Sequence, residues 1–146
     1  MNPNPDLMEN ELMTYLSESW GNRTPISWIR FNAKFQGLSG SSFEFPKSIL
    51  IPNLRQLEGD WLEYPALQSG RTYPYLLFLD LLVEPFTGKS EVQGHLNRIR
   101  EIFDLKDLIF SESHAVFKMM TVKSGFLTTD GSKWEQPCSV SFTAIL

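Results

Sequence analysis

Two acidic residues on one predicted strand are the chain's best candidates for acid–base chemistry. Asp80 and Glu84 lie four positions apart in an apolar segment, and residues at even spacing along a strand point to the same face. His114 follows Glu112 and has the chemistry of a metal ligand or a general base. One hypothesis is therefore a small enzyme or ligand-binding domain that uses Asp80, Glu84 and His114 around a pocket.

The same residues also have structural explanations, which we favour. The face that carries Asp80 also carries apolar side chains, so either the strand emerges into solvent or Asp80 is neutralised by Arg98 or Arg100 from the following helix. His114 lies in a Ser-Glu-Ser-His segment that is typical of a solvated turn. The other histidine, His95, belongs to a different predicted element. Clustered metal ligands are therefore not expected.

The remaining motifs do not indicate a reaction. Cys138 is the single cysteine, and it alternates in phase with Val140 and Phe142, which predicts a small core residue and not a nucleophile. The segment Gly37–Gly40 lacks the Lys-Ser/Thr ending of a phosphate-binding loop. We therefore expect no enzyme activity, no cofactor and no metal.

Length, composition and charge narrow the possible classes of protein further. The chain has 146 residues, of which 42% are hydrophobic, and this predicts a single domain over residues 1–146 with a flexible arm at residues 1–5. No apolar run approaches the length of about 20 residues that spans a bilayer, and the acidic first 20 residues do not resemble a secretory signal. The net charge of −4 disfavours nucleic acid as the main ligand.

Two amphipathic helices are predicted. The first runs from about Leu7 to Ser19, with Asp6 as its cap and Gly21 as its stop. The second runs from Ser90 to Phe103, and Ser90 with Gln93 fits a capping box.

Strand patterns fill most of the remaining chain. Tyr75–Glu84 predicts a central strand, whereas Pro46 and Pro52 predict that any strand in Phe43–Leu57 is short or at a sheet edge. Glu58–Tyr73 is expected to be a loop. Further strands are predicted at Ile26–Phe31, Leu108–Phe110, Ala115–Val122 and Trp134–Leu146, with a hairpin turn at Asp130-Gly131. The expected fold is α+β: a single mixed, mostly antiparallel sheet with two helices on one side and projecting loops or a hairpin.

Aromatic residues outside the predicted core are candidates for contact surfaces, because Trp and Tyr are enriched at interface hot spots. Trp28 is expected in the core. A peptide-binding module that uses the Trp61 and Tyr64 loop is a further hypothesis. The candidate residues for an interface with another protein or another copy of this chain are Phe43, Phe45, Trp61, Tyr64, Phe126 and Trp134.

The order of these elements resembles the tail terminator, or tail-completion, proteins of long-tailed bacteriophages. An N-terminal amphipathic helix is followed by a short aromatic strand, Thr24–Trp28. The central strand Leu77–Pro85 has a hydrophobic-Asp-hydrophobic pattern that ends in a proline turn. A helix with the segment Arg98–Phe103 comes directly after it, and the alternating segment Trp134–Leu146 closes the chain.

This resemblance implies a structural virion protein in the phage tail or neck, which assembles in the host cytoplasm. It would form a ring, expected to be a hexamer, that caps the tail-tube protein and meets a head–neck connector protein. Phe43–Leu57 and Ser124–Trp134 are the candidate joints, and Asp80 and Glu84 would face the lumen and let DNA pass without specific binding. Another head–tail connector, a sheath terminator or a baseplate component stays open as an alternative.

Overall fold

The structure, a computed structural model, describes residues 5–28, 38–39, 48–57, 62–63, 71–84, 88–129 and 134–145. These residues form two helices and one mixed sheet, so the predicted α+β class is confirmed. The helices are α1 (Pro5–Trp20) and α2 (Lys89–Phe103). The strands are β1 (Ile26–Ser27), β2 (Leu38–Ser39), β3 (Ile49–Gln56), β4 (Leu62–Glu63), β5 (Arg71–Val83), β6 (Leu108–Ile109), β7 (Val116–Ser124), β8 (Thr128–Thr129), β9 (Trp134–Gln136) and β10 (Cys138–Ile145).

The sheet is organised around the long strand β5. Its described strands follow the order β2-β1-β3-β5-β10-β7-β6. Beyond the pairing with β10, the end of β5 pairs with β9, which pairs in turn with β8. The β1–β3 pair is parallel and the other described pairs are antiparallel, as expected for a mixed, mostly antiparallel sheet.

One face of the sheet packs against both helices. On β5, Leu77, Leu79, Leu81 and Val83 alternate as buried residues, and the same core cluster contains Leu12 of α1. The strand β10 alternates in the same way from Cys138 to Ala144, which confirms the predicted core face. The opposite face of β5 is half-buried and carries Leu76, Phe78, Asp80 and Leu82.

Pro52 lies inside the sheet, although its presence predicted a short or edge strand. The strand β3 has eight residues and lies between β1 and β5. Leu57 donates its N–H to Pro74 on β5, whereas Leu50 donates to Pro25 on the β1 side. Because strand residues alternate in direction, the nitrogen of Pro52 points away from β5, past the single β1–β3 pairing at Leu50. Proline therefore breaks no bond to β5.

Three boundary predictions were wrong. The helix α1 begins at Pro5, inside the predicted arm, because proline is tolerated in the first helical turn. The cap of α2 is Gly88, without a side-chain bond, and Ser90 is already helical. The strand β5 begins at Arg71, inside the predicted 58–73 loop, because β10 pairs with it as far as Thr72.

Candidate assembly surfaces

The predicted interface residues have different positions in the structure. Phe126 is 91% exposed. Trp134 is partly buried and packs against the core. Phe43, Phe45, Trp61 and Tyr64 lie outside the described residues. The joints Phe43–Leu57 and Ser124–Trp134 are described only in part.

The predicted acid–base group does not come together. Asp80 is on the face of β5 opposite the helices, since Leu79 and Leu81 are buried against them. Glu84 lies just past the end of β5 and donates its backbone N–H to the Ser48 hydroxyl at 3.2 Å.

His114 is far from these acids along the sheet. It lies two residues before Val116 on β7. Val116 pairs with Ile145 on β10, and Ile145 pairs in turn with Thr72 on β5. Thr72 and Asp80 are eight residues apart on that strand, about 26 Å at the usual rise. The structure therefore separates His114 from the Asp80–Glu84 pair, and the hypothesis of a three-residue catalytic pocket loses its geometry.

The two arginines considered as partners for Asp80 have other described contacts. Arg98 donates two hydrogen bonds to the Ser19 carbonyl oxygen, at 3.2 and 2.7 Å, and one to Glu101 at 2.9 Å. Arg100 donates to Asn97 and to the Ser124 hydroxyl. Both guanidinium groups therefore stabilise the helical layer and the end of β7.

Cys138 is buried, as predicted. Burial raises the pKa of its thiol to about 11, so the thiol stays protonated and unreactive near neutral pH. The described part of the chain contains no group of three His, Cys, Asp or Glu residues placed to hold a metal ion. Within the same described residues, neither helix is long and apolar enough to cross a bilayer.

Phe126 lies at the base of the β8–β9 hairpin, next to backbone that hydrogen bonds hold in place. The buried side chain of Gln136 donates to the carbonyl oxygens of Gly125, at 2.8 Å, and Pro137, at 3.1 Å. Gly125 donates its own N–H to Pro137 at 3.0 Å. A Cβ on Gly125 would lie 2.8 Å from Pro137 Cγ, so this crossing of the chain requires glycine. We call this arrangement, Phe126 on its Gln136-bonded base, the Phe126 knob.

Sequence reasoning missed Gln136 and Gly125. A single glutamine at the end of the short strand β9 carries no motif, and its two acceptors became neighbours only when β9 and the end of β7 were brought together. The one available signal was the Gln-Pro step that interrupts the predicted Trp134–Leu146 strand.

A second surface feature is a cleft between α1 and the segment 108–112, which we call the α1–β6 cleft. It has a volume of about 430 Å³. Tyr15 and Phe110 form part of its apolar wall, and their rings meet edge to face at 6.5 Å. Ile109, which is 76% exposed, stands at its rim. The acidic residues that line the cleft are Glu11, Glu18 and Glu112.

Glu11 fixes one wall of this cleft. Its carboxylate accepts the backbone N–H of Ser113 at 2.7 Å and that of Glu112 at 3.2 Å. Partial burial acts to raise the pKa of Glu11, but the hydrogen bonds from Ser113 and Glu112, with a smaller effect of His114, outweigh it and lower that pKa. The carboxylate therefore stays ionised and ties α1 to the turn before β7.

Two further exposed apolar residues have left-handed backbone. Leu105 is 87% exposed and Met119 is 69% exposed, and both have φ of 57°. Met119 belongs to a bulge, since the β7–β10 register shifts between Ser141 and Thr143. Leu105 donates its N–H to Met120 beside that bulge. The edge of the sheet at β6 and β7 therefore presents apolar side chains to solvent.

Comparison with known proteins identifies a structure of similar fold. No protein-family profile and no curated protein matches this chain. A solved structure whose name states no activity superposes with a TM-score of 0.67, covering 98% of this chain and 96% of its own, at 13% sequence identity. At that identity the likeness shows a shared fold.

Proposed function

We propose that this chain is a structural virion subunit, a bacteriophage tail terminator that forms a ring on the end of the tail tube. The observation that carries the proposal is the Phe126 knob, a large apolar side chain that is 91% exposed on a base fixed by Gln136. Burying such a side chain stabilises a contact by about 1.5–3 kcal/mol. A large exposed aromatic side chain beside hydrogen-bonded backbone is thus suited to a protein partner.

The distribution of exposed apolar residues also supports a ring. The Phe126 knob follows the end of β7, whereas Ile109 pairs with its first residue, Val116. The two surfaces therefore lie about 25 Å apart on one subunit. Different patches at separate places on one subunit favour head-to-tail contacts, and such contacts produce closed rings when the rotation between subunits closes.

Charge is compatible with a channel for DNA. The chain carries a net charge of −4, and in this proposal Asp80 and Glu84 face the lumen. Acidic groups there would repel phosphate and prevent tight binding. The order of sequence elements that resembles tail terminators is the second support for this function.

Polymerisation of the tail-tube protein provides the test. Tail-tube protein is assembled with and without this chain, and tube length is measured by negative-stain electron microscopy. A terminator is expected to bind one end of each tube and stop growth, and native mass spectrometry is expected to show a closed ring. Free elongation of the tubes, without any bound copy of this chain, would contradict the proposal.

Labelled particles distinguish a tail terminator from the other virion components considered above. A gold label on the chain is expected at the head-proximal end of the tail. A label at the distal end would instead identify a baseplate component, and a label that tracks the outer sheath end would identify a sheath terminator.

A further inference from the structure

We infer that the Phe126 knob of one copy docks in the α1–β6 cleft of the next copy. This inference deepens the proposed ring, on which it rests, by naming the two surfaces that join its subunits. The occupant of the cleft is thus a second copy of this chain.

Shape is the first argument. The cleft volume of about 430 Å³ is large enough for a phenyl ring, and its wall includes the aromatic rings of Tyr15 and Phe110. Aromatic rings attract each other edge to face beyond simple area burial, so an incoming phenyl group is well matched to this wall. Ile109 at the rim is 76% exposed and would be covered by the same contact.

Charge is the second argument. Lys123 is exposed one residue before Ser124, and Arg100 contacts the Ser124 hydroxyl, so two cations flank the strand end that leads to Phe126. Asp104, whose carboxylate accepts the Val122 N–H at 3.0 Å, and Glu135 on β9 offset this positive charge. The described lining of the cleft has three glutamates and neither Lys nor Arg. Lys123 and Arg100 of one copy can therefore pair with the glutamates that line the cleft of the next copy.

Position is the third argument. The knob and the cleft lie at opposite ends of β7, so the knob of one subunit cannot reach the cleft of the same subunit. Each copy consequently offers one knob and one cleft in a head-to-tail arrangement.

Two variants with complementary defects test the docking. Phe126→Asp removes the knob and keeps the cleft, whereas Ile109→Asp damages the cleft rim and keeps the knob. Both residues are exposed, so circular dichroism is expected to show intact folds. In analytical ultracentrifugation each variant alone should associate about tenfold or more weakly than wild type. An equimolar mixture should form a one-to-one dimer that grows no further, because one working knob and one working cleft remain per pair.

Charge reversal tests which charged residues face each other across the proposed contact. Lys123→Glu and Glu18→Lys should each weaken self-association, and the double variant should restore it if the two residues face each other. A Phe126→Asp variant that assembles like wild type, or a mixture of the two apolar variants that stays monomeric, would overturn the docking while leaving a ring built from other contacts. A wild-type chain that is monomeric at every concentration and on the tube would overturn the proposed function as well.

Discussion

The guanidinium group of Arg98 on α2 binds the carbonyl oxygen of Ser19, at the end of α1, through two hydrogen bonds of 3.2 and 2.7 Å. The last turn of α1 contains no basic residue. Arg98 therefore provides from a neighbouring helix the positive charge that the negative end of the α1 dipole favours. This contact fixes how the two helices lie on the sheet.

We expect Arg98→Ala to lower the free energy of unfolding by about 1–2 kcal/mol, because it leaves the Ser19 carbonyl without its charged donor. Urea denaturation measures the effect. The matched control is Glu101→Gln, which removes the exposed ion pair with Arg98 and should cost no more than about 0.5 kcal/mol. Equal losses in the two variants would show that the exposed ion pair, and not the helix contact, is the important interaction.

Gln136→Leu is expected to loosen the base of the Phe126 knob. The carbonyl oxygens of Gly125 and Pro137 would lose a buried donor, at a cost of about 1–3 kcal/mol. Hydrogen exchange should show faster exchange in β8 and β9 with little change in β10, whereas unchanged protection would show that other contacts hold the hairpin. Glu135→Leu is a suitable control because it alters an exposed neighbour on the same strand.

Gly125→Ala tests the close approach at the same place. The added Cβ would lie 2.8 Å from Pro137 Cγ, so the Pro137 ring or the backbone must shift at an expected cost of about 1–3 kcal/mol. Gly94→Ala is the control, since a Cβ there meets nothing within 4 Å and alanine favours the helix. Thermal unfolding should show a lower Tm for the first variant and an equal or higher Tm for the second.

His95 should make stability depend on pH. Its side chain is buried beside Trp20, and burial, with a smaller contribution from Arg23, lowers the pKa of His95. A folded-state pKa below the unfolded value means that the unfolded chain binds the proton more tightly, so the full stability is present above about pH 6.5 and falls as pH drops below it.

The variant His95→Leu should flatten this dependence. Urea midpoints measured between pH 7.5 and 5 are expected to fall for wild type and to change less for the variant. Equal slopes would assign the pH effect to other groups. Glu11 acts in a lower window, since its lowered pKa provides stability above about pH 4.5 that is lost on further acidification.

Much of the fold could be predicted from local pattern. The α1 stripe, the β10 alternation from Cys138 to Ala144 and the apolar β5 strand follow from periodicities of 3.6 and 2, which depend on near neighbours in sequence. The end of α1 at Gly21 was predicted because glycine readily adopts left-handed backbone, and its φ of 66° confirms this. The same alternation in β10 predicted the buried Cys138, which is in phase with Val140 and Phe142.

The tertiary structure decided the rest. Pro52 is compatible with an inner strand because its nitrogen points past the short β1. The start of β5 is a strand because β10 pairs with Thr72 and β4 pairs with Arg71. Both outcomes depend on residues that are not neighbours in sequence. The cleft exists because Glu11 of α1 binds the turn at Ser113, about a hundred positions later. The knob exists because Gln136 meets Gly125. Sequence pattern thus determined which faces are apolar, whereas long-range pairing determined which apolar side chains, such as Phe126, stay exposed, because burial depends on what the complete fold places beside each residue.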